Sequence, residues 1–167
     1  CHGVEERPCH TSTPFRIDHQ KENIMALEWV YSLENIDWEE LSRLYREAPL
    51  GNKEPSHLKV AFSNSMFTCF VYDSGKLVAV GRALADGKDC SYICDVAVYP
   101  SHQGVGLGKA VVTKLVNLSE GHKKIILYAA PGKEPFYRKL GFKRMATAMA
   151  IFQNQAQALE NGLLIDE

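Results

Sequence analysis

The stretch SHQGVGLGKA, Ser101 to Ala110, sets glycine at 104, 106 and 108, with Gln103 ahead of them and Lys109 after them. Glycine lacks a Cβ, so a run this dense leaves room for a bulky group to approach the backbone. The segment before it, CSYICDVAVYP (Cys90–Pro100), reads as a strand stopped by Pro100. The segment after it, GLGKAVVTKLVNLSEG, reads as a helix. Its Leu107, Val111, Leu115 and Leu118 share a stripe and Gly121 marks its end. A loop between a strand and a helix N-terminus offers unpaired N–H groups at the positive end of the helix dipole. That combination suits an anion, a phosphate above all.

Three anion-binding patterns compete for the loop. A Walker A loop, G-x-x-x-x-G-K-[ST], counted from Gly108-Lys109 needs glycine at 103 and Ser or Thr at 110; the chain has Gln103 and Ala110. A dinucleotide fingerprint G-x-G-x-x-G from Gly104 needs glycine at 109, where the chain has Lys109. The pattern Q/R-x-x-G-x-G/A is matched at every position by Gln103, Gly106 and Gly108.

Working outward, Leu27–Leu33 predicts a first strand. NIDWEELSRLYREA predicts a helix, with Asp37 as its cap, Glu40 as the capping-box partner, and Trp38, Leu41, Leu44, Tyr45 and Ala48 on one face. A second helix begins after Pro55. MFTCFVYDSGKLVAVGRAL predicts two strands around the turn residues Asp73-Ser74-Gly75. Beyond the glycine loop and its helix come a short strand KKIILYAA, a short helix in GKEPFYRKLGF, a last strand RMATAMAIF, and a surface tail from Gln153. The order β-α-α-β-β-β-α-β-α-β describes an α/β fold: a mixed, mostly antiparallel sheet with helix crossovers. The expected division is an N-terminal segment 1–25, a domain over 26–152 and a tail over 153–167.

The chain has 167 residues, 46% of them hydrophobic, and a formal net charge of −1. That size suits one domain with its own core. The balanced charge argues against a nucleic-acid partner, and no apolar run approaches the roughly 20 residues that span a bilayer. Five cysteines, Cys1, Cys9, Cys69, Cys90 and Cys94, form no disulfide framework, which predicts a reducing, cytoplasmic setting. Cys90 and Cys94 lack the second pair that a zinc site needs. Residues 1–25 are polar and without period, and they read as a leader, a remnant or a flexible arm.

The run DVAVYPSHQGVGLGKAVVTKLV (Asp95–Val116), followed by PFYRKLGFKR (Pro135–Arg144), resembles the GNAT superfamily of acyl-CoA-dependent N-acetyltransferases. The resemblance covers roughly Leu27 to Phe152, and the element order agrees with that fold. It implies acetyl-CoA as co-substrate, no metal, and direct transfer to the primary amine of a small molecule in a ternary complex. Protein acetylation and a non-catalytic acyl-CoA-binding module are the rival readings. The implied partners are the thioester and the amine, with no nucleic acid and no membrane; a homodimer is compatible with it.

Residue by residue, the resemblance implies that the backbone of Val96, Ala97 and Val98 pairs with the pantetheine arm. The Val96 N–H would donate to the thioester oxygen as it gains charge. The pyrophosphate would rest on the N–H groups of Gln103, Gly104, Val105, Gly106, Leu107, Gly108 and Lys109. Tyr137 would lie near the sulfur and protonate the departing thiolate; otherwise it is a packed aromatic beside Phe136. Asp95, in the family's acidic position, is read as a base, as an anchor for a cationic acceptor, or as a structural carboxylate bonded by loop N–H groups. Strand alternation predicts that it shares a face with Ile93 and Ala97, opposite Val96 and Val98. One departure stands at Ala130, six residues before Phe136, where many members carry an asparagine that contacts pantetheine. His102 and the charged face Glu39, Glu40, Arg43, Arg46 and Glu47 are expected to face solvent.

Overall fold

A computed structural model describes residues 26–166; the expectations for residues 1–25 lie outside the described residues. The strands are β1 (Glu28–Val30), β2 (Phe67–Asp73), β3 (Lys76–Ala85), β4 (Cys90–Val98) and β5 (Lys124–Ile126). The helices are α1 (Trp38–Glu47), α2 (Pro55–Ser63), α3 (Leu107–Leu118), α4 (Glu134–Arg138) and α5 (Gln155–Glu160). The five strands lie side by side in chain order. The first three pairings are antiparallel, and β4–β5 alone is parallel, because α3 carries the chain back across the sheet.

The helices cover both faces. On one face α1 and α2 bury Leu41, Leu44, Tyr45, Leu58 and Phe62 against Phe70, Val80 and Ala97. On the other, α3 buries Leu107, Val111 and Leu115 against Cys69, Val71, Ala83 and Ile93. The amphipathic spacing read in the sequence thus sets which helix stripe meets which sheet face. Asp37 caps α1, accepting from the N–H groups of Glu39 and Glu40 at 3.0 Å each. Glu40 was expected in a capping box and on a solvated face. Its carboxylate instead accepts from the Leu77 N–H at 3.0 Å, fastening α1 to β3. No helix among the described residues is long and apolar enough to cross a membrane.

Three sequence expectations shift. The first strand is only Glu28–Val30, and β5 stops at Ile126 instead of running to Ala130. The last strand, expected at RMATAMAIF, does not form: Met149 and Ile151 are 97% and 94% exposed. Its alternating pattern meets no sheet edge on which to bury one side, and apolar alternation without a ladder partner does not make a strand. The tail carries α5, capped by Asn154, whose side chain accepts from the Gln157 N–H at 3.0 Å.

Gly81 of β3 faces α3. A Cβ there would fall 2.8 Å from Leu115 Cδ1 and 2.9 Å from Val111 Cγ1, both fully buried. Gly81→Ala is therefore expected to cost about 1–3 kcal/mol of overpacking, read as a lower urea midpoint with an unchanged slope.

Candidate functional site

The glycine loop begins at the end of β4. Pro100–His102 forms a single 3-10 turn, and the Gln103 side-chain amide donates to the Val98 carbonyl at 2.9 Å, tying the loop to the strand. Gly104 and Gly106 have φ of +77° and +90°, a handedness that L side chains adopt at a cost. These two glycines are thus required by the turn itself as well as leaving space. Gly108 is different: it lies within α3, and a Cβ there would make only ordinary contacts, 3.4 Å to Val98 Cγ2 and 3.8 Å to Phe136 Cζ. Gly106 is the N-cap of α3 and supplies no side-chain acceptor, and the first turn holds no acidic residue. The leading N–H groups of a 12-residue helix therefore have no carboxylate or hydroxyl cap. Val105 and Lys109 are exposed and Leu107 is buried as the helix's anchor. His102 is not simply solvent-facing; its Nε2 is 2.9 Å from the Asp73 carboxylate on the β2–β3 hairpin, and its Nδ1 is 2.9 Å from Ser101 Oγ.

Parallel pairing of β4 with β5 spans only Cys90–Lys124, Ser91–Ile125 and Tyr92–Ile126. Pairing with β3 continues to Val98. From Ile93 to Val98, therefore, one edge of β4 has no partner in the β5 ladder. In the middle of that stretch the strand bulges. Val80 pairs with Ala97 and Arg82 with Cys94, so Gly81 alone stands opposite both Asp95 and Val96. Asp95 takes φ of +52°, a left-handed conformation that Asp tolerates better than most residues. The extra residue corrects the alternation argument. Ile93 packs in the α3-side core and Ala97 in the α1/α2-side core, so they do not share a face. Val96 and Val98 pack on the α3 side, and Ala97, buried on the other, presents only its backbone to the strand edge.

Asp95 reaches to the α1/α2 side, and its neighbours there were not read from the sequence. Its Oδ1 accepts from Lys53 Nζ at 3.0 Å and its Oδ2 from Arg82 Nε at 2.6 Å. Its main-chain carbonyl accepts from the Tyr45 hydroxyl at 2.7 Å. The carboxylate's partners are two cationic side chains rather than loop N–H groups. Burial raises its pKa, but Lys53 and then Arg82 outweigh that and hold the carboxyl below its usual range. Arg82 also donates to Ser65 Oγ at 3.1 Å and lies 5.8 Å from the Phe62 ring centre. Ser42 Oγ holds the Lys53 carbonyl at 2.6 Å. A signal for Arg82 was available: one cation inside the apolar strand KLVAVGRALA requires a buried partner. Lys53 and Tyr45 gave none, because their roles depend on the α1–α2 loop folding over β4.

Tyr137 lies on α4, half-buried, with its ring edge-to-face against Phe136 at 5.0 Å and Phe142 at 6.1 Å. Burial raises its phenol pKa further, so it is protonated at neutral pH, as a proton donor must be. Through Phe136 beside Gly108, α4 meets the start of α3. Glu134 and Ala130 are exposed. Burial pushes the Cys94 thiol up to about 11, which leaves little thiolate at neutral pH. Among the described residues no cluster of three or more His, Cys, Asp or Glu is arranged to hold a metal. Tyr92 and Tyr128 stack at 6.1 Å, and Phe152 meets Tyr128 at 6.3 Å.

The depressed Asp95 pKa has a stability consequence with a definite sign. A carboxyl bound more weakly by protons in the folded state stabilises it above the unfolded value near 3.8 and loses that contribution as pH falls through the folded value. Wild-type protein should therefore exceed Asp95→Asn in urea midpoint at pH 6. That gap should close progressively below about pH 4. A gap independent of pH would show that ionisation of Asp95 contributes nothing.

The chain was compared with known proteins. The family model described as "Acetyltransferase (GNAT) family" matches residues 30–142. Serotonin N-acetyltransferase 2, chloroplastic, from rice (Oryza sativa subsp. japonica) is 42% identical over 89 residues, covering 50% of this chain but 44% of that protein. An uncharacterized N-acetyltransferase, ycf52, from the red alga Pyropia yezoensis is 32% identical over 120 residues, covering 68% of this chain and 69% of its own. The chain thus spans less than half the length of the rice relative. Among solved structures, a Trypanosoma brucei acetyltransferase superposes with a TM-score of 0.61 at 26% identity over 75% of this chain and 99% of its own. A GNAT-family acetyltransferase from Streptococcus pneumoniae reaches 0.66 at 22% over 77% and 98%, which speaks to the fold. With the glycine loop, the one-sided edge of β4 and the family match over 30–142 all falling on the same residues, the chain belongs to the GNAT acetyltransferase family.

Proposed function

We propose that this protein is an acetyl-CoA-dependent N-acetyltransferase that passes the acetyl group directly to the primary amine of a small molecule. The observation that carries the reading is the placement of two features on one strand. The β5 ladder leaves β4 after Tyr92, and the uncapped N-terminus of α3 opens just beyond Val98. An extended arm that needs main-chain partners fits the first, and a diphosphate fits the second. Val96, Ala97 and Val98 would offer main-chain groups to the pantetheine, and residues Gln103 to Lys109 would hold the pyrophosphate.

In the transfer the neutral amine nitrogen attacks the thioester carbon, the carbon–sulfur bond breaks, and the amine gives up a proton. The Val96 N–H donates to the oxygen while it carries negative charge. Tyr137 donates its proton to the departing thiolate. Asp95 is a weak base for the amine proton, since Lys53 and Arg82 hold its pKa down; the amine proton instead leaves through water to bulk solvent. Its two cations against one carboxylate leave a local positive balance, which favours the uncharged form of an amine bound beside them.

The small-molecule acceptor is supported by relatives named for such amines. One is the rice serotonin enzyme. Another is the glucosamine 6-phosphate N-acetyltransferase of Trypanosoma brucei brucei, 37% identical over 75 residues, 44% of this chain and 51% of that protein. The aromatic group Tyr92, Tyr128 and Phe152 offers ring surface suited to an apolar part of the acceptor.

Gly106→Glu should place a carboxylate at the mouth of the α3 N-terminus and abolish acetyl-CoA binding in calorimetry without unfolding the protein; unchanged affinity would refute the pyrophosphate site. Tyr137→Phe should lower kcat about 10²-fold or more while the acetyl-CoA Kd stays within about twofold, measured by thiol release across an amine panel. Equal turnover would leave Tyr137 a packing residue.

A further inference from the structure

The Tyr45 hydroxyl bonds the carbonyl of Asp95, and Asp95 and Val96 share one peptide unit. A trans peptide is planar, and its C=O and N–H point in opposite directions. Whatever holds the Asp95 carbonyl therefore also sets the direction of the Val96 N–H. This matters here because the unit lies in a bulge at left-handed φ, where the ladder with β3 does not hold it in register. Tyr45 is fully buried on α1, so its ring is fixed by packing. Burial first, and the Asp95 charge second, drive its phenol pKa far up. The hydroxyl is consequently a donor at every working pH. A donor on the carbonyl also polarises the peptide and strengthens its N–H as a donor in turn.

The Asp95 side chain is held as firmly. Lys53 takes one carboxylate oxygen and Arg82 the other. Lys53 comes from the loop between α1 and α2, and its own carbonyl is held by Ser42 on α1. Arg82 comes from β3 and is braced by Ser65 after α2. Three elements thus converge on one residue from the side of the sheet opposite Val96.

We infer that Tyr45 is a positioning residue for acetyl transfer: through the shared Asp95–Val96 peptide it aims and polarises the Val96 N–H toward the thioester oxygen, while Lys53 and Arg82 hold the bulge that makes this possible. The inference rests on the proposed role of Val96 in oxyanion stabilisation.

The test reads the bond being polarised and needs no acceptor. Acetyl-CoA labelled with 13C at the thioester carbonyl is bound to the protein, and its carbonyl stretch is followed by difference infrared spectroscopy. A donor to the oxygen moves that stretch to lower wavenumber. Wild-type protein is expected to show the downshift. Tyr45→Phe, which removes only the hydroxyl, should lose most of it while the acetyl-CoA Kd changes less than about twofold, because one donor among many contacts is lost. Lys53→Met, at a partly exposed position, should lose a smaller part and keeps the test open if Tyr45→Phe does not fold. A purely structural role would lower thermal stability and leave the stretch of the bound thioester where it was. No downshift in the wild-type protein removes the Val96 reading and the inference with it. A wild-type downshift that survives intact in the folded variants overturns the inference alone.

Discussion

One hydrogen bond, from the Tyr45 hydroxyl to the Asp95 carbonyl, joins α1 to β4 at its bulge, in the stretch that β5 leaves unpaired. Up to Tyr92 β4 is an ordinary interior strand, paired on both sides. After it, pairing continues with β3 alone. A left-handed non-glycine residue costs on the order of 1–2 kcal/mol, and an edge without a partner leaves main-chain groups to be satisfied elsewhere. The bulge persists because α1, β3 and the α1–α2 loop each place a donor on Asp95. Removing the carboxylate would leave two neighbouring cations uncompensated in a half-buried site, so the cluster acts as a unit.

The same bulge assigns side chains to faces. By inserting one residue it moves Ala97 to the helices α1 and α2 while Ile93 stays with α3. It leaves Val96 and Val98 packed towards α3, where they support the start of that helix, and turns the charged residue towards the loop that follows α1. The charged cluster and the strand edge thus occupy opposite sides of one backbone, linked by a single peptide plane.

The glycine loop shows a division of labour within one short motif. Gly104 and Gly106 serve the backbone, since their φ values lie where side chains are strained. Gly108 is not required by the backbone, since the helix conformation would accept another residue and the protein around it leaves ordinary clearance. Gln103 adds a clasp to β4, and the His102–Asp73 pair fastens the preceding turn to the β2–β3 hairpin. The loop is thus held from two directions by the protein itself.

Much of this was legible in the sequence. Spacing in Trp38–Glu47 and Leu107–Leu118 marks the helices, Asp37 marks a cap, Asp73-Ser74-Gly75 marks the hairpin, and Gln103, Gly106 and Gly108 mark the loop between β4 and α3, because each of these signals is local: a period, a cap, a turn or a missing Cβ. What the tertiary structure alone decided is the bulge and everything aimed by it. Alternation counts residues along one strand and cannot register that Gly81 faces two residues at once. Nor can it show that Tyr45, fifty positions away, donates to the Asp95 carbonyl, or that Lys53 and Arg82 share its carboxylate. The missing last strand has the same origin: RMATAMAIF has the right local pattern, but a strand is made by its partner. Local chemistry wrote the helices and the loop, whereas pairing between distant segments set the bulge at Asp95 and the donors that hold it.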